Sequence, residues 1–231
     1  MKRHRFIGPY DLRSPEIVLE DDAARQMALV LKLKIGEGVI LSDGLGHEAE
    51  YEILQIKKSS VRLVRDSEIS TVKTEPTNRV MLYASILKRE NFELVVQKAT
   101  ECGVLRIVPV LSQRTIKKDV KLDRLREIAK EAAELSGRGT IPEIAEPMKL
   151  EQALNDAEIN GQNYFFDRDA AMTVFKSPAS GSIGLFIGPE GGWTPEEAER
   201  AKEAGCKTVS LGPRVLRGET AAIVAVFLAV I

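Results

Sequence analysis

Apolar and polar positions follow two different rhythms along this chain, and the change falls near residue 70. Before it, apolar residues come in short, closely spaced runs. Residues 38–42, 47–56 and 61–65 read as strands, divided by Asp43-Gly44 and by Ser59-Ser60. One helical rhythm precedes them, with Met27, Val30, Leu31 and Lys34 on one face. Asp21-Asp22 is placed to cap it, and it runs through Leu33 to a stop at Gly36. Short strands with a single helix predict a small β-barrel over residues 1–70. Barrels of this size often take oligonucleotides, although the fold alone does not prove it. Residues 67–78 are polar, aperiodic and contain a proline, so an interdomain linker is expected there, with 71–78 as its core.

From residue 79 to 231 strands and helices alternate. Strand-type runs fall at 80–86, 107–111, 164–166, 183–187 and 208–211. Between them, Phe92, Val95, Val96 and Ala99 recur at helical spacing, and Gly103 stops that helix. Leu122, Leu125, Ile128, Ala129, Ala132 and Leu135 form the apolar face of a longer helix ending at Gly137. Further helices are expected at 150–157, 195–204 and 219–231. This order predicts an α/β domain with a mostly parallel sheet covered by helices. The last helix is apolar almost all round, so it must be buried in the core, against a second subunit, or both.

Ligands of such sheets bind at the carboxyl ends of the strands, and two of those ends carry unusual chemistry. In the first, I-G-L-F-I runs into Gly188-Pro189-Glu190-Gly191-Gly192-Trp193, and Thr194-Pro195-Glu196-Glu197 then opens a helix. Proline suits a first helical turn, and Thr194 with Glu197 three residues on is a capping-box pattern, with Trp193 and Ala198 as its staple. In the second, Leu211-Gly212-Pro213-Arg214-Val215-Leu216-Arg217 leads into a helix with Glu219 in its first turn. The two ends suit opposite walls of one cleft. A tight turn with no ligand is the plain alternative for either one alone.

Composition narrows the chemistry. The net charge is -1, so a nucleic-acid partner would have to be met by a local basic patch. Cys102 and Cys206 are far apart and read as reduced, inert thiols. The basic start is not followed by an apolar signal segment, and no run approaches the ~18 apolar residues of a membrane span, so a cytoplasmic protein is expected. His4 and His47 lack a metal-ligand pattern, which leaves no metal site. There is no phosphate-binding glycine fingerprint and no serine in a nucleophile elbow. What remains is backbone-lined binding together with Arg138, Arg214 and Arg217 and the carboxylates Glu190 and Glu219, which suits a reaction driven by positioning two substrates.

These two loops resemble the paired signatures of the ribosomal RNA small subunit methyltransferase E (RsmE) family of the SPOUT superfamily. The F-E-L-V-V-Q-K-A-T-E-C-G-V stretch from Phe92 and the E-A-A-E-L-S-G-R stretch from Glu131 agree with it in order and spacing over essentially the whole chain. The resemblance implies a C-terminal SPOUT-type α/β knot, with a trefoil knot in its parallel-sheet domain, preceded by a PUA-like barrel. It implies methyl transfer from S-adenosyl-L-methionine to N3 of a decoding-region uridine of 16S rRNA on the small ribosomal subunit, by a homodimer joined through the C-terminal domain. The cofactor would lie among Phe166, Gly188, Pro189, Glu190, Gly191, Gly192, Leu211, Gly212, Pro213, Leu216 and Thr220. Arg217, Arg138 and Glu219 are the candidate catalytic residues, and Arg3, Arg5, Lys32, Arg114, Lys117, Lys118 and Arg214 the candidate RNA contacts. The chain departs from the family pattern at Gln26, Leu29 and Gly218. Methylation of another RNA base, or RNA binding without catalysis, are the alternatives that the residues leave open.

Overall fold

In the computed structural model, residues 3–20, 22–116, 119–168 and 174–231 are described. The expected cap residue Asp21 and the candidate RNA contacts Lys117 and Lys118 lie outside them. The chain divides into two compact units, Met1–Glu75 with Ala133–Ile141, and Pro76–Ala132 with Pro142–Ile231.

The first unit is a six-stranded sheet. It contains β1 (His4–Ile7), β2 (Glu16–Leu19), β3 (Gly38–Ser42), β4 (His47–Ile56), β5 (Val61–Arg65) and the short β6 (Ser70–Thr71). Their order is β1-β3-β4-β5-β2, with β6 against β4 and only β1–β3 parallel. Period-two alternation sends Leu41, Tyr51, Ile53, Val61 and Leu63 into one fully buried core with Phe6 and Met27. The turn at Asp43 is held by its own carboxylate, which accepts from the Leu45 and His47 amides at 2.7 and 3.0 Å.

Two expectations for this unit change. The helix is shorter than its periodicity predicts. α1 covers Asp22–Arg25 and passes into one π-type turn, Gln26–Val30, where the Leu31 amide donates to the Gln26 carbonyl. The extra residue in that turn rotates the apolar stripe. Met27 stays buried, Val30 turns out to solvent, and Leu31 and Leu33 pack on the core instead. Residues 67–75 are also not a bare tether: they contain β6, and Val72 packs over Gly139 within the same unit.

The second unit is a three-layer sandwich on a parallel sheet. Its strands are β7 (Arg79–Ser85), β8 (Arg106–Leu111), β9 (Glu143–Ile144), β10 (Met148–Lys149), β11 (Gln162–Phe166), β12 (Ser182–Ile187) and β13 (Lys207–Val209). They run in the order β10-β8-β7-β12-β11-β13, with β9 beside β8, and every pairing is parallel. The pleat sorts neighbouring residues to opposite faces. Val80, Leu82, Leu185 and Ile187 meet α2 (Arg89–Cys102), α3 (Leu122–Ser136) and α6 (Gly218–Val230). Met81, Tyr83, Phe165 and Phe186 meet α4 (Leu150–Asp156) and α5 (Pro195–Glu203). Each fully buried side chain of this size contributes about 1.5–3 kcal/mol.

Two helices depart from a simple one-faced burial pattern. In α3, Leu135 is exposed although the period placed it on the apolar face, and residues from Ala133 onward belong to the first unit. In α6, Ala222, Ala225, Val226 and Ala229 are buried, while Phe227 remains half-exposed on the outer side. The C-terminal end of α6 is capped by other parts of the unit. Asn78 Nδ2 and Ser177 Oγ both donate to the Ala229 carbonyl, at 2.8 and 3.1 Å.

Candidate active site

A cleft of about 570 Å³ opens at the carboxyl ends of β7, β11, β12 and β13. Its volume falls within the roughly 300–1,000 Å³ of small-molecule sites. The two Gly-Pro loops are its walls. Gly188 to Trp193 forms one, Leu211, Gly212 and Arg214 to Glu219 the other, and Phe166 closes one end.

The first wall is fixed by its own sequence. Thr194 caps α5 by accepting from the Glu197 amide at 3.3 Å, and Glu197 returns a bond to the Thr194 amide at 2.9 Å. Trp193 stacks on Phe165 at 4.6 Å between centroids and donates its Nε1–H to the Phe166 carbonyl at 3.1 Å. A Cβ on Gly188 would lie 3.1 Å from that indole, so only a bare backbone passes here without displacing it. On the second wall Gly212 holds φ +101°, which an L side chain rarely adopts, and a Cβ there would meet no protein atom within 4 Å. Bare backbone thus faces open space on that wall. This suits an uncharged, ring-bearing ligand held by main-chain groups, as an adenosyl group requires.

The rim is basic. Lys88, Arg114, Arg168, Arg214 and Arg217 line the cleft against Asp167, Glu190 and Glu219, five cations to three carboxylates on a chain of net charge -1. Neither Arg214 nor Arg217 has an ion-pair partner among the described residues, and both are exposed. Glu219 is buried, in the first turn of α6, where the helix dipole favours a carboxylate. Glu190 accepts from the Lys88 amide at 3.2 Å. Among the described residues no three His, Cys, Asp or Glu side chains are grouped to hold a metal ion. Burial pushes the Cys206 thiol up to about 11 and also raises that of Cys102, so neither forms a thiolate readily near neutral pH.

Several anticipated residues lie elsewhere. Pro213 and Thr220 are exposed and do not line the cleft. Arg138 belongs to the first unit. It is 3% exposed, its Nε and NH2 groups donate to the Glu75 carboxylate, and that carboxylate also accepts from the Gly139 amide. Arg3 pairs with Glu50 and Arg5 with Glu48, both on β4. Lys32 is exposed, with φ 53° just beyond the π-type turn. Conversely, Lys88, Asn91, Asp167 and Arg168 line the cleft without having been singled out. Asp167 and Arg168 directly follow β11 and Lys88 lies in the loop after β7, so the strand-end rule, applied to every strand, would have found these three, while Asn91 sits in the first turn of α2.

The site and fold agree with what comparison finds. Residues 73–230 match the RNA methyltransferase domain family and residues 19–64 the RNA methyltransferase PUA domain. Both layers of the architecture are therefore those of an RNA-modifying methyltransferase. The ribosomal RNA small subunit methyltransferase E of Mesomycoplasma hyopneumoniae is 35% identical over 71% of this chain and 77% of its own. That of Rickettsia conorii is 28% identical over 89% and 85%. The crystal structure of the Neisseria gonorrhoeae enzyme of the same name, bound to S-adenosyl methionine, superposes with a TM-score of 0.88 at 31% identity, covering 97% of this chain and 95% of that one. The chain belongs to the ribosomal RNA small subunit methyltransferase E family.

Proposed function

We propose that this protein transfers a methyl group from S-adenosyl-L-methionine to N3 of a decoding-region uridine in 16S rRNA on the small ribosomal subunit. The observation that carries this reading is the cleft itself: two backbone walls for an adenosyl group, with Arg214 and Arg217 at its mouth and no ion-pair partner for either among the described residues. The Neisseria gonorrhoeae relative supports the choice of cofactor, since it is a crystal structure with S-adenosyl methionine bound.

When bound, S-adenosyl-L-methionine supplies an electrophilic methyl group on a positively charged sulfur. The chain's own residues do the rest. Gly188 to Gly192 with Leu211, Gly212, Val215 and Leu216 would hold the adenosyl group, with Phe166 and Trp193 flanking it. Uridine N3 must lose its proton before it can attack, and negative charge then spreads over the uracil oxygens. Arg217 is suited to stabilise that charge, and Glu219, a buried carboxylate, to accept the proton or order the water that does. Arg214 serves as a phosphate contact. Arg138 is given no step in this proposal, its guanidinium being bonded to Glu75.

A homodimer through the second unit, and the trefoil knot of the SPOUT type, are part of the same proposal. Ile223, Val224 and Phe227, an incompletely buried apolar face of α6, support the first. Phe227→Asp should shift the protein to monomer in sedimentation velocity. The parallel sheet closed by α6 is compatible with the knot. No helix among the described residues is long and apolar enough to cross a membrane.

The decisive experiment uses purified protein, labelled S-adenosyl-L-methionine and small subunits lacking the modification. Label should enter 16S rRNA at one uridine, mapped by mass spectrometry to N3. Label on another base would redirect the assignment. Cofactor binding without any label would make this an RNA-binding protein with an idle pocket.

A further inference from the structure

We infer that Arg114 is a positioning residue that sets the shape of the cofactor wall, acting through the Gly188–Trp193 turn rather than through RNA. The inference rests on the proposed function and adds to it a determinant of cofactor affinity outside both Gly-Pro loops.

The geometry is a clamp on two peptide planes either side of a third. Arg114 NH1 donates to the Gly191 carbonyl at 2.8 Å and to the Trp193 carbonyl at 3.1 Å. The aliphatic part of the same side chain lies over Gly191, where a Cβ would sit 3.4 Å from Arg114 Cδ. The other sides of those two planes are held as well. The Gly192 amide donates to the Pro189 carbonyl at 2.9 Å, and the Thr194 amide to Glu197 at 2.9 Å. Planes Gly191–Gly192 and Trp193–Thr194 are therefore held at both edges, which leaves the plane between them only rotation about its own Cα–Cα axis. Glycines give this turn its close approach to a ligand, but they also give it the largest conformational entropy to lose. Arg114 removes that entropy before any ligand arrives.

The base of the clamp is rigid too. Ser112 and Thr115, both buried, exchange hydroxyl and backbone bonds at 2.7 to 3.2 Å. The Gln113 amide donates to Glu197 Oε1 at 2.8 Å, so the loop after β8 is tied to the first turn of α5. On the opposite side Glu190 reaches the Lys88 amide. Loops following β7 and β8 thus brace the turn that follows β12.

The test compares wild type, Arg114→Ala and Arg114→Lys. Calorimetry measures S-adenosyl-L-methionine affinity, filter binding measures affinity for small subunits, and thermal melting checks the fold. Trp193 is the single tryptophan, so its emission reports the turn directly. Arg114→Ala should weaken cofactor binding by about ten- to a hundredfold, the loss expected from two charge-assisted bonds that pre-organise the turn. It should also alter cofactor-free Trp193 emission and change RNA affinity by less than about threefold. Arg114→Lys, keeping the charge with a shorter reach, should recover RNA affinity fully and cofactor affinity only in part. If Arg114→Ala binds the cofactor like wild type while RNA affinity falls, the inference is overturned and Arg114 is an RNA contact. Should Arg114→Ala melt at assay temperature, the lysine variant carries the same decision. If wild type itself binds no S-adenosyl-L-methionine, the proposed function fails, while the emission comparison still decides the clamp.

Discussion

The arginines anticipated as functional do different work in the two units, although others of the second unit, such as Arg106 and Arg200, are ion-paired as well. In the first, Arg3, Arg5 and Arg138 each carry a carboxylate partner: Glu50, Glu48 and Glu75. In the second, Arg214 and Arg217 stand at the cleft mouth with no ion-pair partner among the described residues. The residue type and formal charge are identical, but the free charge is not. A paired guanidinium contributes to the shape of its own unit and presents little net field. An unpaired one at a cleft attracts anions and stabilises charge that develops during a reaction. Arg114 is a third case, with its donors on two main-chain carbonyls.

Arg217→Ala should break the comparison most visibly. Turnover should fall by about a hundred- to a thousandfold, the cost of one lost transition-state donor, with the Kd for S-adenosyl-L-methionine within about twofold of wild type. Single-turnover methylation and calorimetry measure the two. Equal loss in both would make Arg217 a cofactor contact instead.

Next in size is Glu75→Ala, which leaves Arg138 buried without its carboxylate. A loss of about 3 kcal/mol in urea unfolding is expected, because removing one partner of a buried pair strands the other. Burial alone would raise the Glu75 carboxyl, but the hydrogen bond and charge of Arg138, with the Gly139 amide, hold it below the usual carboxylate range. Its stabilisation is therefore complete above the unfolded value of about 4.3 and is lost as pH falls through the lower folded value. Glu75→Gln should flatten that acid limb, and an unchanged limb would remove the pair from the account of stability.

The smallest effects sharpen the contrast within RNA binding. Arg214→Ala should weaken binding to small subunits about three- to tenfold and reduce the salt slope by about one, as for one lost phosphate contact. Arg3→Ala should change affinity less, because its charge is shared with Glu50. Equal slopes for the two variants would show that the ion pairs of β1 open on RNA.

Much of the second unit was legible because its signals are local. Val80, Leu82 and Leu185 read as buried strand residues and are, and Thr194 with Glu197 read as a capping box and is one. The first unit was less legible. Strands of two to four residues such as β1, β2 and β6 are too short for alternation to register. One π-type turn was enough to put Val30 outside. The cleft was half-legible: both Gly-Pro walls were anticipated, while Lys88 and Arg168 were not.

The sequence by itself determined the longer elements, the parallel character of the second unit's sheet and the two glycine-rich strand ends. Period, caps and turn residues act within a few positions, so they are written where they operate. Only the tertiary structure decided which charges are free. Arg138 meets Glu75 across 63 positions, Arg114 meets Gly191 across 77, and Gln113 meets Glu197 across 84. Such partners are chosen by the packing of strands and loops, and no local period encodes them.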